Sequence, residues 1–294
     1  MTSTGTFPLG KTRRLLLNRP LLASYCQEMI HQRRRVRRFP EAERLHELRV
    51  AARRLGEALL FMEPELPAKR ARAVRRRSRR IRRSVGTVRN VDVTIELVAR
   101  LARDLPPVEK AAVVPIIQRL RAEASILRKS SMRKGRFSMM GIRKRIERLL
   151  AEVPRSGRSS LDARAEAFLA ERLAQFDKTL RKSGKGDPES MHRVRIAVKR
   201  YRYTLELLEK AGRAAPEGVL RKVKKVQKDL GRLRDLDVLI ALLRRLKPST
   251  AIQPLLLRLR AERRRRLPVA RTSLDTFRPL RPSGRAKNPT RSAT

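Results

Sequence analysis

Cysteine, tryptophan and long apolar runs are scarce or absent in this sequence, and each shortage excludes a class of protein. Cys26 is the single cysteine, which excludes an intramolecular disulfide and a thiolate zinc site. Tryptophan is absent and aromatic residues make up 3 % of the chain, which argues against folds that stack single-stranded nucleic acid on aromatic side chains. No apolar run reaches the roughly 18 residues of a membrane span, and residues 1–18 lack a signal-peptide pattern. We therefore expect a cytoplasmic protein.

Acidic residues are also few relative to basic ones. The chain has 75 Lys and Arg against 28 Asp and Glu, which gives a formal net charge of +47. A compact body with this charge repels itself unless a polyanion compensates it, so nucleic acid, polyphosphate and an anionic membrane surface are the candidate partners. Hydrophobic residues still make up 40 %, enough to form a core, which a disordered basic protein lacks.

Helical periodicity dominates the sequence, and we predict an all-α fold. No useful segment alternates apolar and polar residues as an exposed strand would. Short Pro, Gly and Ser breaks separate the helical segments, and residues 278–294 have the composition of a disordered basic tail. The predicted helices span residues 20–38, 41–62, 67–103, 107–132, 138–152, 161–182, 189–211, 216–246 and 252–267.

An internal repeat divides the chain into two halves. Residues 46–54 (HELRVAARR) recur at 192–200 (HRVRIAVKR), and residues 86–93 (GTVRNVDV) recur at 231–238 (GRLRDLDV). Residues 119–123 (RLRAE) recur at 258–262 in the same order. We predict two homologous four-helix bundles, at residues 15–155 and 156–277, joined by a linker near 153–160 and related by a pseudo-twofold axis.

Cationic stripes run along four of the predicted helices. On a helical wheel His46, Arg49 and Arg53 share one face, opposite an apolar face. Acidic residues do not interleave with these stripes, unlike in most solvated helical surfaces. Arginine suits phosphate oxygens, and a row of cations at helical pitch suits an extended phosphate chain. The equivalent stripe of the second half contains His192, Arg195, Lys199 and Arg202, and the following helices carry Arg76, Arg79, Arg80 and Arg83, and Arg221, Lys224, Lys225 and Lys228.

The polar residues within these motifs have alternative interpretations. A histidine near a helix start is either structural or a donor to a phosphate oxygen, and crowding by arginine should depress its pKa. Two interpretations exist for the polar residues Asn90, Asp92, Asp235 and Asp237. Either they are metal ligands or catalytic acids, or they orient neighbouring arginines, and we favour the orienting role. No metal and no cofactor are expected.

The duplicated His-x-x-Arg-x-x-x-Arg/Lys-Arg helix, followed each time by Gly-x-x-Arg-Asp/Asn-x-Asp-Val, resembles the CHAD (conserved histidine α-helical domain) family. The resemblance covers roughly residues 20–275. It implies two four-helix bundles with a basic groove between them, binding of inorganic polyphosphate, and association with polyphosphate granules. It also places Arg54 and Arg200 among the ligand-binding residues, beside the residues of the cationic stripes.

The first hypothesis is therefore a protein that binds inorganic polyphosphate without catalysis. The alternative is a nucleic-acid-binding or nucleoid-associated protein, although no helix-turn-helix, zinc or RNP signature is present. An enzyme acting on phosphoanhydrides would need acidic metal ligands or a nucleophile near the groove, and the aspartates above are the only candidates.

Overall fold

The computed structural model describes residues 19–133, 141–153, 161–184, 186–213, 215–245 and 252–277, and within these ranges every regular element is helical. The all-α prediction is confirmed for this part of the chain. The predicted basic tail at 278–294 and residues 154–160 of the predicted linker lie outside the described residues. The division into repeats at residues 155 and 156 stays a prediction.

Nine α-helices make up the described fold, and their order follows the internal repeat. The helices α2 and α7 carry the two histidine motifs, and α3 and α8 carry the two glycine motifs. The bounds are α1 Arg19–Arg38, α2 Ala42–Phe61, α3 Ala68–Arg103, α4 Pro107–Arg133, α5 Ile142–Glu152, α6 Leu161–Arg181, α7 Pro188–Lys210, α8 Val219–Leu243 and α9 Ile252–Phe277.

Successive helices pack against each other within each half, from α1 to α4 and from α6 to α9. Helix α5 is additional to the repeat and packs against α1 and α3. Between the halves, equivalent helices contact each other, since α2 contacts α7, α3 contacts α8 and α4 contacts α9. The repeated motifs of the two halves therefore lie next to each other in space.

Buried apolar residues of the described chain form two clusters, and each draws on both halves. The larger cluster joins α1, α2, α5, α6 and α7 with the first parts of α3 and α8 and the end of α9. The smaller cluster joins the far ends of the α3–α4 and α8–α9 hairpins. Phe61 and Phe168 meet edge-to-face across the halves at 5.4 Å between ring centroids, a favoured aromatic geometry. The halves therefore fold against one another and share their cores.

Helix α9 is longer than the sequence pattern indicated. The prediction ended it at residue 267, because Pro268 lacks the N–H that continues a helix. The helix instead continues through Pro268 to Phe277. Phe277 is buried and packs edge-to-face on Phe176 and Tyr201, with centroid distances of 5.0 and 5.2 Å. This tertiary packing offsets the lost backbone hydrogen bond.

Candidate functional site

A central cavity lies between α2, α3, α7 and α8, with a volume of about 510 Å³. Its lining comes from both halves, and many lining residues are equivalent positions of the repeat that face each other. The cavity therefore brings together the histidine motif and the glycine motif of both halves. These pairs are His46 with His192, Arg49 with Arg195, Arg53 with Lys199, Arg89 with Arg234, Asn90 with Asp235, and Val93 with Val238.

The glycines of the motif make room for two of these arginines. A Cβ atom at Gly86 would lie 3.4 Å from Nη1 of Arg49, and one at Gly231 would lie 3.9 Å from Nε and Nη2 of Arg195. Glycine inside a helix costs roughly 0.5–1 kcal/mol relative to alanine. The guanidinium groups therefore lie close against the backbones of α3 and α8, where a larger side chain would displace them.

Asn90 orients Arg49 across the helix interface, because its Oδ1 accepts a hydrogen bond from Arg49 Nη1 at 3.1 Å. At the equivalent position of the second half, Asp235 interacts electrostatically with Arg195. The sequence-based prediction had these residues orient their chain neighbours Arg89 and Arg234. The structure shows that Asn90 holds an arginine of the opposing helix.

The helix that carries His192 starts at a strong N-cap. The Asp187 carboxylate accepts hydrogen bonds from the backbone N–H groups of Glu189 and Ser190 at 3.1 and 2.9 Å, and Pro188 occupies the first turn. Both features favour helix initiation at this point. The cap fixes the start of α7 and therefore the direction in which His192 and Arg195 face.

Two further cavities lie beside the central one. A lateral cavity of about 500 Å³ shares Arg49, Arg53, Asn90 and Lys199 with it. An outer cavity of about 290 Å³ between α6 and α7 then shares Ile196 and Arg200 with the lateral cavity. The three cavities therefore border one another in the order central, lateral, outer. The lateral cavity adds Glu57, Arg82, Arg83, Gly86 and Thr87, and the outer cavity adds Arg172, Gln175, Thr179, Arg193 and Ala197.

Burial and mutual repulsion perturb the cations of the central cavity. Burial, then repulsion by Arg195, Arg53, Arg49 and Arg202, lowers the pKa of Lys199 to about 6. Burial, followed by repulsion from Arg53 and other arginines, lowers the pKa of Arg49 to about 10. The charged forms of these groups are therefore destabilised until an anion enters the cavity.

The pKa values of His46 and His192 are both lowered, as the sequence predicted. The main cause is burial, and repulsion by Arg89 or Arg234 is second, whereas the prediction named arginine crowding alone. Nδ1 of His192 is buried and has no hydrogen-bond partner within the described chain. His192 itself lines the central cavity, and a buried nitrogen without a partner is unusual for a purely structural histidine.

Asp92 and Asp237 are buried structural residues that each bind an arginine of the next helix. Arg128 of α4 donates to Asp92, and Nε of Arg263 in α9 donates to Asp237 at 2.5 Å. This agrees with the favoured structural interpretation, although the partners lie far along the chain. No group of three or more His, Cys, Asp or Glu suited to a metal ion occurs among the described residues.

The predicted binding residues divide into two groups. His46, Arg49, Arg53, His192, Arg195, Lys199 and Arg202 line the central cavity, and Arg83 and Arg200 line the lateral one. The remaining predicted residues do not line these three cavities. They are Arg54, Arg76, Arg79, Arg80, Arg221, Lys224, Lys225 and Lys228, and all but Arg54 are exposed.

The wheel of α3 missed Arg82, which lines the lateral cavity beside Arg83. Arg89 and Arg234 line the central cavity but were considered only as neighbours of the aspartates. The glycine of the repeated motif, Gly86, is the feature of the sequence that points to Arg82 and Arg89. Counting one helical turn back from Gly86 reaches Arg82, and one turn forward reaches Arg89.

These observations define an all-helical repeat protein with a cation-lined cavity between its two halves. The family model for the CHAD domain matches residues 21–244. The chain therefore belongs to the CHAD domain family. A search of curated proteins found no match.

Two solved structures have a similar fold. The CHAD domain from the plant Ricinus communis has a TM-score of 0.69 and 21 % identity, over 94 % of this chain and 96 % of that chain. PptA from Streptomyces chartreusis has a TM-score of 0.65 and 18 % identity, over 90 % of this chain and 98 % of that chain. At these identities the likeness concerns the fold alone.

Among the helices that the structure describes, none has the length and apolar character of a membrane-spanning segment.

Proposed function

We propose that this protein binds inorganic polyphosphate in the central cavity without catalysing its breakdown. The main evidence is that equivalent cations of the two halves line the same cavity, Arg49 with Arg195 and Arg53 with Lys199. Asp235 is the single carboxylate among the described residues of that lining. A cavity with this imbalance is stabilised by a ligand that brings several negative charges.

The facing pairs also support the pseudo-twofold axis between two bundles, which we include in the proposal. An axis through the central cavity accounts for the contacts of α2 with α7 and α3 with α8. A phosphate chain has no side groups and repeats the same charged unit, so it presents similar oxygens to both halves. The linear order of the three cavities suits an extended ligand better than a single small anion.

Nucleic acid is the competing polyanion, and two features of the cavity disfavour it. A volume of about 510 Å³ between packed helices is small for a strand that carries sugars and bases. Tyr203 is the one aromatic side chain in the described lining, whereas proteins that bind single strands stack bases on several aromatic rings. We therefore expect nucleic acid to bind mainly to the exposed cations.

The pairing of the buried aspartates supports a non-catalytic role. Asp92 and Asp237 are neutralised by Arg128 and Arg263, so neither is poised to hold a metal or act as a base. Incubation with long-chain polyphosphate and Mg²⁺ or Mn²⁺ tests this point. We expect no release of orthophosphate, and release that Asp237→Ala abolishes would show an enzyme instead.

The exposed cations outside the cavities suit a second, looser contact with bulk polyphosphate. We propose that they draw the protein to polyphosphate granules by long-range attraction, while the cavity holds one chain firmly. Arg76 and Arg80 on α3 and Lys224 and Lys228 on α8 are examples. Fluorescently tagged protein should concentrate on granules in cells that store polyphosphate and disperse in cells that lack it.

Charge reversal in the cavity tests the binding site. The double variant Arg49→Glu and Arg195→Glu should weaken polyphosphate binding by about a hundredfold or more, because each charged contact contributes roughly 1.5–3 kcal/mol. The control, Arg103→Glu with Arg264→Glu, changes the net charge equally at exposed positions and should have a much smaller effect. Equal effects of the two double variants would place binding outside the cavity.

A further inference from the structure

The two halves differ at the sides of the central cavity, where the repeat is broken at two neighbouring positions. The first half has Gly56 and Glu57 where the second half has Arg202 and Tyr203. These positions lie one turn beyond Arg53 and Lys199 on α2 and α7. They therefore make the two sides of the cavity chemically different.

On the Tyr203 side the cavity is lined by a stack of side chains. The Arg202 guanidinium lies over the Tyr203 ring at 4.7 Å from its centroid, and Nη1 of Arg53 donates to the Tyr203 hydroxyl at 3.4 Å. Glu206 then pairs with both Arg202 and Arg54, at 3.3 and 3.4 Å. Arg54 is therefore neutralised within the protein on this side.

On the Glu57 side the described residues form no such stack. Glu57 is buried and is drawn toward α6 by Nη2 of Arg172, at 3.1 Å from its carboxylate oxygen. Gly56 adds no side chain, and a Cβ atom there would meet nothing within 4 Å. Glu57 lines the lateral cavity, which shares Ile196 and Arg200 with the outer cavity between α6 and α7.

Arg200, the repeat equivalent of Arg54, borders both the lateral and the outer cavity. Its side chain is exposed, and the Glu57 carboxylate with which it interacts electrostatically is hydrogen-bonded to Arg172. Arg193 lies two helical turns before it on the same face of α7, roughly 10.5 Å away along the axis, and it also lines the outer cavity. Ile196 and Ala197 form the floor between these two cations.

We propose that a bound polyphosphate chain leaves the central cavity on the Glu57 side only, and that Arg200 and Arg193 hold its continuation as an outer phosphate subsite. This inference rests on the proposed function. It makes Arg200 and Arg54 unequal despite their equivalent places in the repeat. Arg200 contacts long polyphosphate chains, whereas Arg54 lies on the other side of the cavity and pairs with Glu206. A chain of only three phosphates fits in the central cavity and does not reach the outer subsite.

Titrations of the full chain with long-chain polyphosphate and with tripolyphosphate test the subsite. The double variant Arg193→Ala with Arg200→Ala should weaken long-chain binding by on the order of tenfold and make it less salt-dependent. Its affinity for tripolyphosphate should match that of the wild type. The exposed pair Arg103→Ala with Arg264→Ala removes the same net charge and serves as the control, and Arg54→Ala alone should have less effect on long chains than Arg200→Ala alone.

The outcomes separate the subsite from the proposed function. If the wild type binds neither ligand, the proposed function itself is wrong. If the wild type binds both ligands but Arg54→Ala and Arg200→Ala weaken long chains equally, the one-sided exit is wrong. An equal loss for tripolyphosphate and long chains in the Arg193/Arg200 variant would place these residues in the central site and also overturn the subsite.

Discussion

Lys199 provides a sharp prediction about pH, because its ammonium group sits among arginines in the central cavity. Burial and these neighbours lower its pKa to about 6, so in the free protein the side chain is mostly neutral at pH 8. A bound polyphosphate places negative charge beside it and raises the pKa toward the ordinary lysine value of about 10.4. Binding above pH 6 therefore takes up a proton.

The sign and size of the effect follow from linkage. The bound state holds more protons than the free state between the two pKa values, so affinity falls as pH rises through this range. The steepest possible change is about tenfold per pH unit, or 1.36 kcal/mol. Lys199 is only partly buried, and solvent screening reduces the effect. We expect a decrease of about tenfold to a hundredfold between pH 7 and pH 9.

The assay is isothermal titration with polyphosphate in buffers of different ionisation enthalpy, which reports the number of protons taken up. His46 and His192 also line the cavity, and bound polyphosphate also raises their pKa values, which burial lowers in the free protein. A variant of Lys199 alone therefore separates the lysine from the two histidines. Lys199→Arg is the control, because arginine keeps its charge throughout this range. It should bind polyphosphate with a much flatter pH profile.

The reasoning about Lys199 fails if the wild type takes up no protons near pH 8. It also fails if the Lys199→Arg protein shows the same decrease in affinity with pH as the wild type. In either case the lysine is already charged in the free protein, and the cavity is more hydrated than its burial indicates.

Three further predictions concern single residues. Gly86→Ala should raise the free energy of unfolding by about 0.5–1 kcal/mol in chemical denaturation, because the added Cβ still fits beside Arg49. Gly86→Leu should displace that arginine and weaken polyphosphate binding. Unchanged binding of Gly86→Leu would contradict the close packing of Arg49 against Gly86. Glu57→Gln should lower the free energy of unfolding by up to roughly 3 kcal/mol, because the buried Arg172 loses the nearer of its two carboxylate partners and keeps only the more exposed Glu171, and a loss below 1 kcal/mol would show that water reaches this pair. Cys26 should resist alkylation in the folded protein, because burial raises the pKa of its thiol to about 12, and rapid labelling at pH 8 followed by mass spectrometry would contradict this burial.

Local patterns in the sequence predicted most helices, because apolar periodicity and Pro or Gly breaks act within one segment. The same patterns predicted that Arg49 and Arg195 share a face with the histidines, and the structure places these residues together in the central cavity. The wheel of α3 included Arg83 and left out Arg82, although both line the lateral cavity. Which arginines of α3 reach that cavity depends on how α3 packs against α2.

Features that depend on tertiary packing could not be predicted from the sequence. The end of α9 at Phe277 depends on aromatic partners in α6 and α7, which no local signal reveals. The sharing of both apolar clusters between the halves arises because equivalent helices pack on each other. The stack at Tyr203 follows from a difference between the two halves of the repeat, and the sequence does not reveal that both Arg53 and Arg202 lie over this ring.

Competition between polyphosphate and duplex DNA at equal phosphate concentration, across a salt series, tests the central claim most directly. The account predicts that DNA displaces little polyphosphate from the wild type, and that added salt releases DNA first, because DNA reaches mainly exposed and screened cations. It also predicts that Arg49→Glu with Arg195→Glu removes this preference. Displacement of polyphosphate by DNA at every salt concentration, with no change in the cavity variant, would contradict the account and favour a nucleic-acid-binding protein.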